Sequence, residues 1–196
     1  GKLGKARRKA AKTLEKKISK QLATLAMSQC QFEIAVTTRE SANPHPHGLE
    51  EIEFLISTNP GAPTQPLGKI ASGGELSRIS LAIQVVTAST DTIPSMVFDE
   101  VDVGIGGAVA EVVGQLVREL AGKAQVLCVT HLAQVAAQGH QHLQVTKTSD
   151  KTSAHTSLKQ LAEAEKIQEI ARMLGGIKIT DQSLAHAREM VESVTR

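Results

Sequence analysis

Apolar positions change their period several times along this chain, and each period implies an element. From Leu3 to Ala26 there is no Pro and, after Gly4, no Gly, while Ala10, Leu14, Ile18, Leu22 and Leu25 recur at intervals of four, four, four and three. That spacing predicts one helix with a single apolar stripe, roughly 35 Å long at about 1.5 Å per residue. A narrow stripe on an otherwise charged helix reads as a coiled-coil seam, and it requires a partner helix that the adjacent sequence does not offer. FEIAVT (32 to 37) and EEIEFLIST (50 to 58) alternate as strands do, with Ile52, Phe54 and Ile56 on one face, and the turn-rich SANPHPHG between them makes a hairpin. NPGAPTQPLG (59 to 68) reads as loop.

Beyond it, Leu76, Ile79, Ile83 and Val86 fall at helical spacing, with Leu81 and Val85 widening the face, which predicts a largely buried helix over 75 to 89. PSMVFDE (94 to 100) is an apolar run ending in two acids, as in a central strand covered on both faces. A helix over about 107 to 121 and a second apolar strand, QVLCVTH (125 to 131), follow. Strand, helix and strand of this length form a right-handed crossover with parallel strands. HLQVTK and HTSLKQL predict a final hairpin, and helices over 163 to 174 and 181 to 194 flank a turn at Gly175 and Gly176.

Composition narrows the function classes. The 196 residues suit one domain with an attachment, and a 41% apolar, 21% charged content is that of a globular protein. Trp and Tyr are absent and Phe32, Phe54 and Phe98 are the sole rings, so the core is aliphatic and no aromatic platform for stacked bases is on offer. No stretch approaches the roughly 20 apolar residues of a membrane span. The opening GKLGKARRKAAK lacks the apolar centre of a secretory signal, so the chain reads as cytoplasmic. Cys30 and Cys128 form neither a CxxC nor a zinc pattern and read as reduced thiols. His45 and His47 alternate with prolines without a further ligand nearby. The charge is lopsided: residues 1 to 20 hold seven Lys and two Arg against one Glu, a net +8 that leaves −6 for the rest of a chain whose total is +2. Such a segment suits either phosphate contacts on DNA or the solvated face of a long helix.

Three short strings carry chemistry. In ASGGE, Ser72 followed three residues later by Glu75 is a capping box for a helix start. The same string also leaves the N–H groups of Gly73 and Gly74 open to an anion at the positive end of a helix. Asp99 and Glu100 end a strand, where one carboxylate can hold Mg²⁺ and its neighbour can orient a water, or both can be surface charge. His131 ends the neighbouring parallel strand, placed to donate to a phosphate oxygen or to cap a turn.

Taken in order, these strings resemble the second half of an ATP-binding-cassette ATPase, with ASGGE as signature motif, SMVFDE as Walker B strand, VDVGIGG (101 to 107) as D-loop and His131 as switch histidine. KIASGGELSRISLAI, VFDEVDVGIG, VTHLAQVAAQ and IARMLGG are most similar to the RecN family, bacterial SMC-like ATPases of double-strand break repair and recombination. One departure is Gly106, where that family commonly has Ser. The resemblance implies an α/β fold, the C-terminal half of an ABC/SMC-type P-loop ATPase head, mostly parallel sheet flanked by helices, with residues 1–26 as the end of a coiled-coil arm and 27–196 as the half-head. It implies ATP and Mg²⁺ as cofactors, Glu100 and His131 as catalytic residues, Asp99 as the Mg²⁺ ligand, and Ser72, Gly73, Gly74 and Glu75 at a nucleotide. By the same resemblance the partners are the N-terminal P-loop half of the head, a second head closing over ATP in a homodimer, and DNA, at the nucleoid and away from membranes. The serine-diglycine corner then faces a neighbour's nucleotide, on an edge separate from the acids. A P-loop, GxxxxGK[ST], is missing: GAPTQPLGKI has six residues between its glycines, and Ile70 stands where a hydroxyl belongs. The chain alone is then inactive and exposes apolar sheet surface. The alternatives are an ABC transporter ATPase fragment and a non-enzymatic coiled-coil scaffold of chromosome maintenance.

Overall fold

The computed structural model describes residues 1–39, 45–70, 72–88, 93–149, 154–175 and 178–195. Residues 41–44 of the first hairpin turn, Ala71 of ASGGE and Gly176 lie outside them.

Helix α1 (Lys2–Thr24) buries Gly4, Ala11, Ile18 and Leu22, and Leu25 completes the stripe. In the stripe Ala11 takes the buried place expected of Ala10, which faces outward. Strands β1 (Gln31–Thr38) and β2 (Glu50–Ser57) form the expected antiparallel hairpin, with Phe32 opposite Ile56 and Ile34 opposite Phe54. The Phe32 and Phe54 rings pack tilted, 5.7 Å between centroids. α1 lies on β1 and on helix α2 (Gly73–Thr87), so its seam is covered within this chain. Two polar contacts fix it there: Arg7 Nη1 donates to Glu50 at 2.8 Å, and the Ile34 N–H donates to Glu15 at 2.9 Å. The segment expected to be loop holds a two-residue strand, β3 (Gln65–Pro66), which pairs with β2 through Leu55 and Ile56.

α2 buries Gly74, Arg78, Ile79, Leu81 and Ala82, while Leu76 is exposed. The helix is wedged between α1 and helix α3 (Gly107–Ala121), so its covered arc centres on Ile79 and Ala82, away from Leu76. Strands β4 (Ser95–Phe98) and β5 (Gln125–Cys128) pair in parallel on either side of α3, the crossover predicted from sequence. Parallel pairing is confined to these two strands among the described residues, the other ladders being antiparallel. The ladder is covered on one face only. Met96, Phe98, Val126 and Cys128 pack into the core, whereas Val97 is 67% exposed and Val129 59%. A helix short enough to escape the periodicity, α4 (Ala133–Ala137), follows β5. The hairpin β6 (Leu143–Ser149) and β7 (Ala154–Gln160) and helices α5 (Glu163–Gly175) and α6 (Asp181–Thr195) close the chain near the expected bounds.

α4, α5 and α6 form a second small core around Ala133, Ala137, Ile170, Ala171 and Ala187. Two cations finish α4. Buried Lys166 donates to the carbonyls of Ala137 (3.3 Å) and Gly139 (2.6 Å), and Arg118 donates to that of Gln138 (2.6 Å). They satisfy carbonyls that a helix end leaves open and oppose the negative end of its dipole. Burial holds the Lys166 ammonium below its ordinary pKa. Lys166→Met keeps the apolar stem and removes the donor; urea unfolding should show a loss of about 1–3 kcal/mol, and an unchanged midpoint would mean that water serves those carbonyls equally well.

Cys128 gives a second test. Burial pushes its thiol from 9.0 up to about 12, and the charges of Asp102 and Asp99 add to the effect. The folded chain therefore holds this proton more tightly than the unfolded one, so its contribution is complete below about pH 9 and lost as pH rises toward about 12. Unfolding free energy measured between neutral and strongly alkaline pH should fall more steeply in the parent chain than in Cys128→Ala; parallel curves would contradict the assignment.

Candidate functional site

Both strands of the parallel pair leave the ladder at the same end, and the candidate groups follow immediately. Past Phe98, Asp99 and Glu100 are exposed. Asp99 Oδ1 accepts the Glu100 N–H at 2.9 Å, and the Asp99 carbonyl accepts Ser77 Oγ from α2 at 2.6 Å. Glu100 has φ +58°, the left-handed region, in a residue that carries a side chain. That conformation costs about 1–2 kcal/mol. It is held by the turn that follows, in which the Val103 N–H donates to the Glu100 carbonyl at 3.2 Å and Gly104 takes φ +75°. Arg78 of α2 donates to the Val103 carbonyl at 2.7 Å, so the first turns of α2 are bonded to this loop twice.

Past Cys128, the Val129 N–H still donates to the Phe98 carbonyl at 2.9 Å, after which the chain turns into α4. The turn is held by Asp102, a buried acid at 2% exposure. Its Oδ2 accepts Thr130 Oγ1 at 2.5 Å and the His131 N–H at 3.1 Å, and lies 3.3 Å from His131 Nδ1. Thr130 Oγ1 in turn accepts the Leu132 N–H at 3.0 Å. The acids and His131 are thus brought to one rim, joined through Asp102. The string VDVGIGG stands out as a whole, but nothing in the sequence assigns Asp102 a role of its own: one acid between two valines after a strand end looks like surface charge.

Ser72 caps α2, its Oγ accepting the Glu75 N–H at 3.4 Å and its carbonyl the Leu76 N–H at 3.1 Å. Gly73 is exposed and Gly74 buried. A Cβ on Gly73 would collide with Glu100 Oε2, and one on Gly74 would stand 3.2 Å from the Glu100 carbonyl and from Val103 Cβ. This corrects the expectation of separate edges: the serine-diglycine corner lies against the acid loop of its own chain. The reason is the pair of bonds from Ser77 and Arg78, which dock α2 onto that loop. A cavity of about 280 Å³ opens on the other side of the corner, beside Lys69, Ser72 and Glu75. At Gly106, φ is −170° and a Cβ would meet no atom within 4 Å, so a serine would fit there.

The donor set suits the cofactors that the resemblance implies. One exposed carboxylate, Asp99, matches Mg²⁺, which takes one or two carboxylates alongside phosphate oxygens and water. The N–H groups at a capped helix start match a phosphate oxygen.

No family model matches this chain. It is 50% identical over 190 residues to DNA repair protein RecN of Vibrio cholerae, covering 97% of this chain and 34% of that protein. It is 48% identical over 193 residues to RecN of Xylella fastidiosa (98% and 35%), and 37% identical over 195 residues to RecN of Bacillus subtilis (93% and 34%). Its fold is similar to the Smc head domain with a coiled coil and joint from Pyrococcus yayanosii, with a TM-score of 0.56 and 18% identity over 84% of this chain and 29% of that one. It is also similar to the Smc head domain with an extended coiled coil from Pyrococcus furiosus, solved bound to the C-terminal domain of ScpA, with a TM-score of 0.53 and 20% identity over 85% and 39%. The chain spans about a third of the length of the curated relatives it matches. On this identity, sustained along nearly all of its residues, the chain belongs to the RecN family, with the fold of an SMC-type head.

Proposed function

We propose that this chain is the part of an ATP-hydrolysing head that supplies the water-activating and phosphate-sensing groups, in a protein of DNA double-strand break repair. The observation that carries this reading is the single rim on which Asp99, Glu100 and His131 follow the ends of parallel β4 and β5. Residues 1–26 form the end of the coiled-coil arm and 27–196 the half-head. The P-loop belongs to the two thirds of the relatives' length that this chain does not span. ATP and Mg²⁺, when bound, supply the phosphoryl group and the charge that neutralises it.

The residues then divide the work. Asp99 holds Mg²⁺. Glu100 takes a proton from the attacking water, and its left-handed backbone turns its carboxylate out of the strand. His131 contacts the terminal phosphate. Ser72, Gly73 and Gly74, with Glu75 closing the cap, meet the phosphate held by a second head in a homodimer, which requires the Glu100 side chain to swing off Gly73. DNA is bound by the complete protein in the cytoplasm, at the nucleoid. The RecN relatives favour this reading over a transporter fragment.

The test is Glu100→Gln in the complete protein. Steady-state ATP hydrolysis should fall by at least about 100-fold, the lower end for a lost general base, while ATP binding persists. Hydrolysis at the parent rate would remove Glu100 from the role, and an absence of hydrolysis in the parent protein would remove the activity.

A further inference from the structure

We infer that Asp102 is a positioning residue for His131, fixing the ring's orientation so that Nδ1 faces the carboxylate and Nε2 is the nitrogen presented to a phosphate. The inference rests on the ATPase reading for its purpose but not for its geometry. One carboxylate oxygen, Asp102 Oδ2, meets His131 twice, at the backbone N–H (3.1 Å) and at ring Nδ1 (3.3 Å). It also accepts Thr130 Oγ1, whose hydroxyl holds the Leu132 N–H. Backbone and side chain of the histidine are thus gripped from one point, and the residues before and after it are tied to the same anchor. Asp102 is 2% exposed, whereas the His131 side chain is 68% exposed. One end of the pair is therefore fixed in the interior and the other reaches the rim.

An ionised carboxylate accepts hydrogen bonds and donates none, so the ring nitrogen facing it must carry the hydrogen. A neutral His131 then holds its proton on Nδ1 and turns the Nε2 lone pair outward. When the ring binds a phosphate oxygen it does so as the imidazolium, with Nδ1–H on Asp102 and Nε2–H on the phosphate. Without Asp102 both the rotation of the ring and the choice of nitrogen are open. The logic is that of an orienting carboxylate behind a working histidine. Distance along the chain hides it, since Asp102 and His131 are 29 residues apart and meet because β4 and β5 are in parallel register.

The decisive measurement needs no turnover. Long-range ¹H–¹⁵N spectra of the full chain labelled with [¹⁵N]histidine, recorded where the ring is neutral and assigned by loss of one signal in His131→Gln, should show His131 with its proton on Nδ1. A proton on Nε2 would overturn the inference, whatever the protein does with ATP. In Asp102→Ala, which leaves no oxygen facing Nδ1, the preference for Nδ1–H should be lost; its full retention would likewise contradict the inference. In the complete protein Asp102→Ala should lower kcat about 10- to 100-fold, the usual effect of an outer partner, with KM for ATP within about twofold. Parent kcat in that variant would sink the positioning role even if Glu100→Gln confirmed hydrolysis.

Discussion

Four backbone pairs, from Ser95 opposite Gln125 to Phe98 opposite Cys128, hold β4 and β5 in parallel, and everything chemical in this chain depends on where that ladder stops. Because the strands run the same way, both exits lie on one edge, and the residues that follow them meet although some thirty positions separate them in sequence. Asp102 makes the meeting specific: a buried carboxylate from the first exit clamps the turn of the second. An antiparallel pairing of the same strands would have put the acids and His131 at opposite ends. The constraint also reaches α2, whose Ser77 and Arg78 bond to the loop between Asp99 and Val103 and so press Gly73 and Gly74 onto Glu100.

The ladder is finished on one face and open on the other. Met96 and Phe98 lie in the same core as α2 and α3, whereas Val97, Leu127 and Val129 make an apolar strip toward solvent. Parallel strands are ordinarily covered on both faces. In the proposed head the second cover comes from the other half, in keeping with a chain that spans about a third of its relatives' length. The α1 seam, by contrast, is taken up by β1 and α2, and a lysine and an arginine close the end of α4.

Much of this was legible in the sequence because it rests on local pattern. The hairpin, the β4–α3–β5 crossover and the last two helices all follow from periods of two or 3.6, and the family from four short strings in order. What stayed hidden depends on tertiary neighbours. The stripe of α1 named no partner, since periodicity shows that a face is apolar and not what covers it. Leu76 lies at a core-like spacing yet is exposed, because flanking helices fix which arc of α2 is buried. The run SMVF reads the same whether one face is covered or two. The contact between Gly73 and Glu100 and the bond between Asp102 and His131 both span more than 20 residues, and no spacing rule reports them.

The shared rim can be probed with a spin. In the complete protein, Mn²⁺ in place of Mg²⁺ and a non-hydrolysable ATP analogue would put a paramagnetic centre at Asp99, and relaxation of the labelled histidine rings would report distance from it. Among this chain's seven histidines, His131 should be broadened most strongly and only when nucleotide is present. Broadening that spares His131, or falls on all seven alike, would mean that the ends of β4 and β5 do not serve one site.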